Sequence, residues 1–500
     1  MYGASYFGQT QWAAAKLQPA ALKAIAPYIT WSDPADGTLS RGGALEFGLA
    51  VSWGLQMALN QLMRRHAADR PAMGQAIQEV IADYDRLAAT TYWDLPIRDF
   101  APLSRHAAPN RINLSLDAVA EPGLADHLRV RHDLVSIPSY NAGGWYDIFL
   151  QGTIDNFNAM RRLGVPSKLL IGPWSHGANA NPVGEVNFGF GAQAAFVDLR
   201  MDYQSMQLRW FDHWLKGVDT GIMAEPPVKI FVMGVNRWRD EQEFPLARAV
   251  EERAYLHRGG RLDRTAPSSA EDPTEFDYDP ANPVPTRGGA LLMTPEFRSG
   301  PHDQRPIEER PDLLIFTSEP MGRDVEVTGP VKVTLFASSS APSTDFVARF
   351  CDVHPDGRSI NLTDGILRVR SQPGVPAEHV IDLWATSNVF LAGHRMRVQV
   401  TSSSFPRWDR NLNTGEPAGT GTAIEVARQP VPPDAEHPAH PTLSLPTHCA
   451  PTPRPRPPCR GPPPPSPRRL SPAPRRAVGA RWGCCPRRRR GGSRPGPFGR

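Results

Sequence analysis

Residues 134–176 read LVSIPSYNAGGWYDIFLQGTIDNFNAMRRLGVPSKLLIGPWSH, and this stretch decides the fold. The apolar run 134–140 predicts a strand, and apolar side chains then recur at helical spacing from Ile148 to Leu163. A second short run, 168–171, follows at once and predicts another strand. A strand, a helix and a strand joined so closely form a βαβ unit, whose two strands lie parallel. The stretch therefore predicts an α/β protein with a parallel sheet.

The start of the chain contains part of a similar unit. Gly3, Ser5 and Gly8 punctuate a tight turn that leads into a predicted helix over 9–18, and a strand-like run covers 22–29. Only two residues precede Gly3, so we expect the strand that leads into this turn to be cut short. The chain therefore reads as if it began in the middle of its α/β domain.

Two further regions differ from this pattern. Over 36–135, apolar side chains recur at near-helical spacing, which predicts a helical insertion into the α/β domain. Beyond residue 225, short β-rich runs separated by Gly, Pro, Asp and Asn replace the helical pattern. Many short strands with such turns indicate a sandwich or jelly roll. Within it, the polar and proline-containing stretch 258–310 is expected to be a long surface excursion.

The last part of the chain has an unusual composition. Residues 451–500 hold 15 prolines and 14 arginines and no Asp, Glu or Lys. Such a segment cannot bury enough apolar surface to offset its chain entropy, so a disordered tail is predicted. A basic arm for nucleic acid or an SH3 ligand is one interpretation, and out-of-frame translation of GC-rich DNA is the other. The predicted domains are an α/β domain (1–35 and 136–225), a helical insertion (36–135), a β domain (226–440) and the Pro/Arg-rich tail (441–500).

The net charge of +4 conceals an acidic body. With the tail's 14 arginines set aside, 41 basic residues face 51 acidic ones, which leaves a charge of about −10 on the rest of the chain. An acidic body argues against nucleic acid as a partner. The chain also lacks both a run of about 20 apolar residues and a signal peptide. We therefore expect no membrane partner and a cytoplasmic location.

Cysteine and histidine usage gives no sign of a metal centre. Cys351 is the one cysteine before the region of the tail, and a lone thiol cannot form an intrachain bridge. No disulfide framework or zinc cluster is expected in the body. His437 and His440 are spaced like weak metal ligands, but they fall at the start of the predicted tail. The sequence therefore assigns no metal and no cofactor.

Three residues could form a catalytic triad. Ser5 lies in a turn with small residues, G-x-S-x-x-G, as a strained strand-to-helix turn requires. Asp147 and His176 each follow one strand of the βαβ unit, at the edge where open α/β sheets build their sites. The order Ser, Asp, His is that of α/β hydrolases. The alternatives are a plain turn serine, an Asp147 that only caps the following helix, and a His176 in a surface loop.

Eight segments in this order resemble the CocE/NonD hydrolases, the cocaine-esterase-like relatives of the X-Pro dipeptidyl-peptidases: GASYFGQTQWAAA, GGWYDIF, LLIGPWSHG, LRWFDHWLKG, PPVKIFVMGVNRWR, VTGPVKVTLFASSSAPSTDF, DVHPDGRSINLTDGILRVR and SSSFPRWDRNLNTG. The resemblance covers residues 1 to about 440. It implies an α/β-hydrolase domain, a helical cap inserted between nucleophile and acid, and a C-terminal jelly roll. It also implies that an early part of the catalytic domain is missing, including a tyrosine whose hydroxyl serves as an oxyanion donor.

The resemblance assigns roles to individual residues. It implies Ser5 as the nucleophile, Asp147 as the acid and His176 as the base. The backbone N–H of Tyr6, the residue after the nucleophile, is expected to donate to the oxyanion. Three aromatic residues are candidates for the substrate pocket, with ordinary core or cap packing as the alternative for each: Trp53, Trp145 and Phe149.

The expected function is that of a serine hydrolase. Its substrate would be a small-molecule acyl ester or amide, cleaved through an acyl-enzyme without a cofactor. One alternative is an X-Pro dipeptidyl aminopeptidase or α-amino-acid ester hydrolase, which must hold a substrate ammonium group with carboxylates. Another is a catalytically impaired fragment whose jelly roll serves in binding or assembly. The sequence leaves the oligomeric state open, a homo-oligomer included.

Overall fold

The computed structural model describes residues 1–177, 179–197, 202–268, 273–432 and 438–447. In chain order, the first half contains β1 Tyr2–Ala4, α1 Tyr6–Ala15, β2 Ala26–Tyr28, β3 Ser40–Arg41, β4 Ala44–Leu45, α2 Phe47–Arg65, α3 Arg70–Arg86, α4 Ala101–Arg105, α5 Arg111–Ala120, β5 Ser139–Tyr146, α6 Leu150–Arg162, β6 Ser167–Ser175, α7 Tyr203–Lys216, β7 Val228–Val232 and β8 Arg237–Glu241.

The α/β part is built on a six-stranded sheet with the order β1-β2-β5-β6-β7-β8. Strands β1 to β7 of this sheet run parallel, and β8 returns antiparallel to β7. The predicted βαβ unit is present as β5, α6 and β6. The sheet also continues past residue 225, because Leu169 of β6 pairs with Val228 of β7. The sequence placed this strand in the β domain, since a short apolar run fits a parallel strand and a sandwich strand equally well.

The two strands that precede the candidate acid and base end later than the sequence predicted. The predicted strand 134–140 begins instead at Ser139 and includes the Gly-Gly-Trp-Tyr segment that was interpreted as a loop. Glycine is depleted in strands, which explains the wrong interpretation. Here the backbones of β5 and β6 approach so closely that a Cβ on Gly144 would lie 2.3 Å from the carbonyl oxygen of Trp174.

Helices α2 to α5 lie between β2 and β5 in the chain, within the segment 36–135 that was predicted to be helical. Their apolar side chains share a buried cluster, to which Phe405 of the β-rich half also contributes. The cluster includes Phe47, Leu55, Tyr92, Phe100 and Ile112. Among the residues that the structure describes, none of the helices combines the length and the apolar character needed to cross a bilayer.

The second half is β-rich. It contains β9 Ala249–Arg253, β10 Tyr255–His257, β11 Arg261–Asp263, β12 Thr274–Tyr278, α8 Arg305–Glu308, β13 Leu314–Thr317, β14 Val325–Ala337, β15 Ser343–Val353, β16 Ser359–Arg370, β17 Ala377–Phe390, β18 Arg395–Thr401, β19 Ala427–Val431 and β20 His440–Pro446. The two larger sheets have the orders β10-β11-β13-β18-β15-β16 and β17-β14-β20-β9. Val333 of β14 and Phe350 of β15 are fully buried in one shared core, so the two sheets form a sandwich.

Two expectations for this half were wrong in part. The stretch 258–310 is not only a surface excursion, because Tyr278, Val284 and Leu291 are buried. The predicted tail 441–500 overlaps β20, which pairs with β14 and β9 and buries Leu443. The sequence did not show this strand because Pro441 and Pro446 interrupt its short apolar run, and proline is typical of a loop or tail. The remainder of the tail, from residue 448, lies outside the described residues.

Candidate active site

Ser5 occupies the turn between β1 and α1. Its φ of 56° and ψ of −125° lie in a region that residues other than glycine rarely adopt. The backbone N–H of Ser5 donates to the carbonyl of Tyr28 on the neighbouring strand, at 2.8 Å. The helix begins at Tyr6, directly after the serine and three residues earlier than the sequence predicted. Ser5 is therefore held in a strained turn between a strand and a helix.

The glycines around Ser5 are required by close contacts. A Cβ on Gly3 would lie 2.7 Å from Cβ of Phe7, and a Cβ on Gly8 would lie 2.7 Å from Cβ of Thr30. Both distances are shorter than two carbon atoms can approach without a shift of the backbone. The G-x-S-x-x-G pattern is thus explained by the tight turn itself, where Gly3 lies against Phe7, and by the packing of α1 at Gly8 against Thr30 in the segment that follows β2.

Asp147 and His176 are brought together by neighbouring parallel strands. Tyr146 of β5 and Ser175 of β6 are paired at the end of the ladder, and the two candidate residues come directly after them. Because parallel strands end at the same edge of a sheet, both side chains lie at one edge. The interruption in register between Gly144 and Tyr146 lies just before this position.

Ser5, His176 and Asp147 form a continuous chain of hydrogen bonds. His176 Nε2 lies 3.1 Å from Ser5 Oγ, and His176 Nδ1 lies 2.8 Å from Asp147 Oδ2. Asp147 is fully buried, and its Oδ1 accepts a hydrogen bond from the N–H of Phe149 at 2.7 Å. That last bond is a local turn contact two residues along the chain; the capping alternative is wrong, because α6 begins at Leu150 with Phe149 as its N-cap and no side-chain cap bond. The His176 side chain is 7% exposed, which does not fit a surface-loop histidine.

Tyr6 is the first residue of α1, where backbone N–H groups have no partner within the helix. Its side chain is 58% exposed, as is most of the Phe7 side chain. Ser5 makes no side-chain cap contact with the helix. The Tyr6 N–H therefore directly follows Ser5 in the chain and has no partner within the helix; its role as an oxyanion donor stays a prediction.

Two of the three predicted pocket residues lie in one apolar cluster beside the triad. The ring of Phe149 meets the ring of His176 edge to face, with centroids 5.3 Å apart. Phe149 also contacts Trp31 at 5.3 Å. Trp53, on α2, packs against the same cluster, which includes Leu49, Ile148 and Leu291. This cluster, which we call the apolar wall, contains residues from the α/β part, the helical segment and the β-rich half.

Trp145 belongs to a different cluster. Its ring is 2% exposed and packs against Phe244, and its Nε1 donates to the carbonyl of Phe231 at 2.7 Å. Trp145 contributes to the core that the α/β sheet shares with the sandwich. For this residue the alternative of core packing is therefore favoured over a place in the pocket.

Sequence reasoning missed Tyr28 and Trp31, which follow each other closely at the end of β2. The backbone carbonyl of Tyr28 accepts a hydrogen bond from the Ser5 N–H. The phenol of Tyr28 lies near the triad, and its pKa is raised by burial and, to a smaller extent, by the Asp147 carboxylate. Trp31 forms part of the wall around Phe149. The signal for both residues was their position in the chain, just after β2, because β2 pairs with β1 and β1 leads directly into Ser5.

Comparison with known proteins agrees with this architecture. The X-Pro dipeptidyl-peptidase (S15 family) matches residues 1–178, and the X-Pro dipeptidyl-peptidase C-terminal non-catalytic domain matches residues 220–440. The second match begins before β7, the strand that extends the α/β sheet. The two matches together span both halves of the described fold.

Individual relatives match over most of the chain. A cocaine esterase from Rhodococcus sp. (strain MB1 Bresler) is 36% identical over 476 residues, which cover 89% of this chain and 80% of that protein. Among solved structures, an aminopeptidase from a marine sediment Thaumarchaeota archaeon superposes with a TM-score of 0.66 at 24% identity, covering 89% of this chain and 76% of that one. An α-amino acid ester hydrolase gives a TM-score of 0.65 at 23% identity, with the same coverage.

The structural matches show the fold, an α/β-hydrolase-type domain with a C-terminal β domain. The sequence match to the cocaine esterase shows the family. The chain belongs to the CocE/NonD hydrolases, the cocaine-esterase-like members of the X-Pro dipeptidyl-peptidase family.

Proposed function

We propose that the protein is a serine hydrolase that cleaves small-molecule acyl esters through Ser5, His176 and Asp147, with an acyl-enzyme as the intermediate. The observation that carries the proposal is the unbroken hydrogen-bond chain from Ser5 Oγ through both ring nitrogens of His176 to Asp147. A serine hydroxyl is a weak nucleophile on its own, and an adjacent base activates it.

In the first step, Ser5 Oγ attacks the carbonyl carbon of the ester while His176 Nε2 takes the hydroxyl proton. Asp147 accepts a hydrogen bond from His176 Nδ1, which fixes the tautomer and stabilises the imidazolium. The negative charge that develops on the carbonyl oxygen would be held by the Tyr6 N–H, whose donor capacity the helix leaves free. The bond to the leaving alkoxide then breaks, and His176 returns the proton to it.

In the second step, water attacks the acyl-enzyme. His176 takes the proton of the water, the acyl carbon–Oγ bond breaks, and Ser5 recovers its proton from the imidazolium. The acid product leaves, and the free enzyme is restored. The same groups therefore serve both halves of the reaction, and no cofactor is needed.

The apolar wall beside His176 supports an apolar or aromatic acyl group as the substrate class. Phe149 is 4% exposed and lies against the base, and Trp53 is only partly buried in the same cluster. Burial of an apolar acyl group against these rings would contribute about 25 cal/mol for each Å² of surface removed from water. A substrate ammonium group would require carboxylates as well, and the apolar side chains of this cluster supply none.

A paired assay tests the proposal and its alternatives. Hydrolysis of p-nitrophenyl butyrate and of an aminoacyl-proline p-nitroanilide is measured with the unchanged protein, with Ser5→Ala and with Ser205→Ala. Ser205 is an exposed serine on α7 and serves as the matched control. We expect ester hydrolysis in the unchanged protein and in Ser205→Ala, and none in Ser5→Ala. A fluorophosphonate probe should label Ser5 alone, as mass spectrometry of the digested protein would show.

Each of the other possible results of this assay would point to a different function. Preference for the proline substrate, lost in Ser5→Ala, would assign the site to an aminopeptidase. Labelling elsewhere, or ester hydrolysis that survives in Ser5→Ala, would remove Ser5 from its role. No hydrolysis of either substrate by the folded, unchanged protein would support the binding or assembly alternative.

A further inference from the structure

A second cluster of side chains capable of chemistry lies in the sandwich. Strands β15 and β18 pair antiparallel, with Asp352 opposite Met396 and Val353 opposite Arg395. One further step along the same register places His354 opposite His394. Side chains alternate between the two faces of a strand, so Asp352, His354 and His394 project from one face at the end of this ladder.

The three side chains converge. His394 Nδ1 lies 2.8 Å from Asp352 Oδ1, and the rings of His354 and His394 lie with centroids 4.5 Å apart and planes tilted by 40°. A potential ligand atom of each residue lies within 4.8 Å of those of the other two. In the part of the chain that the structure describes, this is the one group of three or more His, Cys, Asp or Glu side chains that meets this criterion.

Two of the three side chains are almost fully buried. Asp352 is 4% exposed and His394 is 8% exposed. The side chain of His354 is only partly buried. Asn388 adds one neutral hydrogen bond to Asp352 Oδ2 at 3.3 Å. A buried carboxylate beside two imidazoles is a site where a divalent cation would restore the lost solvation.

The nearby arginines are paired with carboxylates. Arg397 lies 2.6 Å from Glu308, and Arg395 lies 3.7 Å from Glu319. Arg358 is bound to Asp356. These contacts offset part of the positive charge that would repel a cation.

An entry path also exists. An open cavity of about 500 Å³ is lined by His354, Pro355, Gly357, Gly393 and both arginines of the β18 strand. His354 is the partly exposed member of the cluster and lies on this cavity wall. The cavity has room for water, which could complete the coordination of an ion held by three protein ligands.

We propose that Asp352, His354 and His394 form a binding site for a divalent cation of the Zn²⁺ class, with one carboxylate oxygen and two imidazole nitrogens as ligands and water from the cavity as the fourth. Imidazole nitrogens suit Zn²⁺, Co²⁺, Ni²⁺ and Cu²⁺, whereas Mg²⁺ and Ca²⁺ prefer oxygen ligands alone. A simple aspartate–histidine hydrogen bond explains His394 but leaves the adjacent His354 without a role.

The site connects to the α/β sheet through Tyr146. Its buried hydroxyl donates to the carbonyl of Asn361, and burial together with the Asp352 carboxylate raises the pKa of this phenol. Tyr146 directly precedes Asp147 at the end of β5. Asn388, which contacts Asp352, also forms a bridge with Met233, just after β7. A bound cation would therefore stabilise the contact between the sandwich and the sheet that carries the candidate triad.

The test is a titration of the full chain with Co²⁺ and Zn²⁺ after treatment with a chelator and alkylation of the accessible thiols. Alkylation removes the tail cysteines as competing ligands. We expect saturable binding of one equivalent, visible Co²⁺ absorption bands without a thiolate charge-transfer band, and a rise in the thermal unfolding midpoint. His354→Ala should weaken binding by about 100-fold or more, since the loss of a ligand exceeds the 10- to 100-fold typical of outer partners. His127→Ala, which removes an exposed histidine elsewhere, should leave it unchanged.

His354→Ala leaves the bond between Asp352 and His394 in place and is expected to fold. Asp352→Asn, which keeps the shape of the side chain and removes its charge, provides a second variant. Absence of saturable binding in the unchanged protein would overturn the proposal. Equal affinity in the unchanged protein and in either folded variant would overturn it as well. A thiolate band after alkylation would assign the ion to cysteine instead.

Discussion

The α/β sheet and the sandwich each contain a buried aspartate–histidine pair with the same contact. His176 Nδ1 lies 2.8 Å from Asp147, and His394 Nδ1 lies 2.8 Å from Asp352. In the sheet, the free ring nitrogen of the histidine faces a serine hydroxyl. In the sandwich, the third partner is a second histidine. The comparison teaches that the pair alone does not define the chemistry: our two proposals, proton transfer in the sheet and metal coordination in the sandwich, differ in the third side chain.

The strand geometry explains which third partner each pair receives. Asp147 and His176 follow parallel strands, whose ends meet at one edge beside the turn that carries Ser5. Asp352 and His394 lie on antiparallel strands, whose ladder brings the next residue, His354, onto the same face. Parallel strands thus place the residues that follow them at one edge of the sheet, whereas an antiparallel ladder places residues of one face side by side along its strands.

Exchange of each aspartate for asparagine should give the largest contrast. Asp147→Asn would favour the wrong tautomer of His176 and should lower ester turnover by about 10⁴-fold. Asp352→Asn should act mainly on stability, at a cost of about 1–3 kcal/mol for the buried hydrogen bond to His394. Turnover and denaturant unfolding are measured on both variants. A similar loss of turnover in the two variants would break the distinction between the pairs.

A glycine exchange tests whether turnover depends on the close packing around the turn that contains Ser5. Gly8→Ala would force a Cβ to within 2.7 Å of Thr30 and displace α1 from the segment after β2. Because Ser5 must be placed within roughly 0.5 Å of its position, we expect about a 100-fold loss of turnover.

Gly74→Ala is the matched control, since Gly74 lies in helix α3 with no atom within 4 Å of the added Cβ. It should stabilise the protein by up to about 1 kcal/mol and leave turnover unchanged. Full turnover in Gly8→Ala would show that the serine turn tolerates the shift.

Two aromatic exchanges separate the pocket from the core. Phe149→Leu keeps an apolar side chain but removes the edge-to-face contact with His176, and such contacts contribute about 0.5–1.5 kcal/mol. We expect kcat/KM to fall by about ten-fold. Trp145→Phe removes the hydrogen bond to Phe231 and should lower stability by about 1 kcal/mol while kcat/KM is retained. A larger loss of kcat/KM in Trp145→Phe than in Phe149→Leu would indicate that Trp145 lines the substrate pocket after all.

The sequence predicted the parts of the site that depend on local pattern and chain order. The βαβ unit followed from helical periodicity between two apolar runs, and Ser5, Asp147 and His176 followed from their places after strands. The missed residues depend on three-dimensional approach. Gly143 and Gly144 were interpreted as a loop, because only their close contacts in three dimensions show why a strand needs glycine there: Gly144 lies against Trp174, and Gly143 lies against Thr153 and Ile171.

The sandwich cluster was missed for a related reason. Asp352 and His354 are visible as neighbours, but His394 is 40 residues beyond His354 in the chain and joins them only through the register of β15 with β18. A single sequence does not fix such a register, because many short strands could pair in several ways. The position of Trp145 in the core, rather than the pocket, likewise depends on which face of β5 meets the sandwich.

The smallest effect concerns a carboxylate that has no imidazole partner. Burial raises the pKa of Asp155, on α6, to about 6, and Asp36 adds to the shift, while Gln151 donates one hydrogen bond to it at 2.9 Å. Between about pH 4 and 6 the unfolded chain has released this proton and the folded protein has kept it, so stability should fall as pH rises through this window. Asp155→Asn removes this titrating group and should flatten the dependence of stability on pH by on the order of 1 kcal/mol, a value reduced because the side chain is partly solvated.

Glu79→Gln is the matched control, since Gln75 makes the same contact with Glu79 on the exposed face of α3. Denaturant midpoints measured from pH 4 to 7 would check this, and a profile that Asp155→Asn leaves as steep as before would show that other groups cause the dependence.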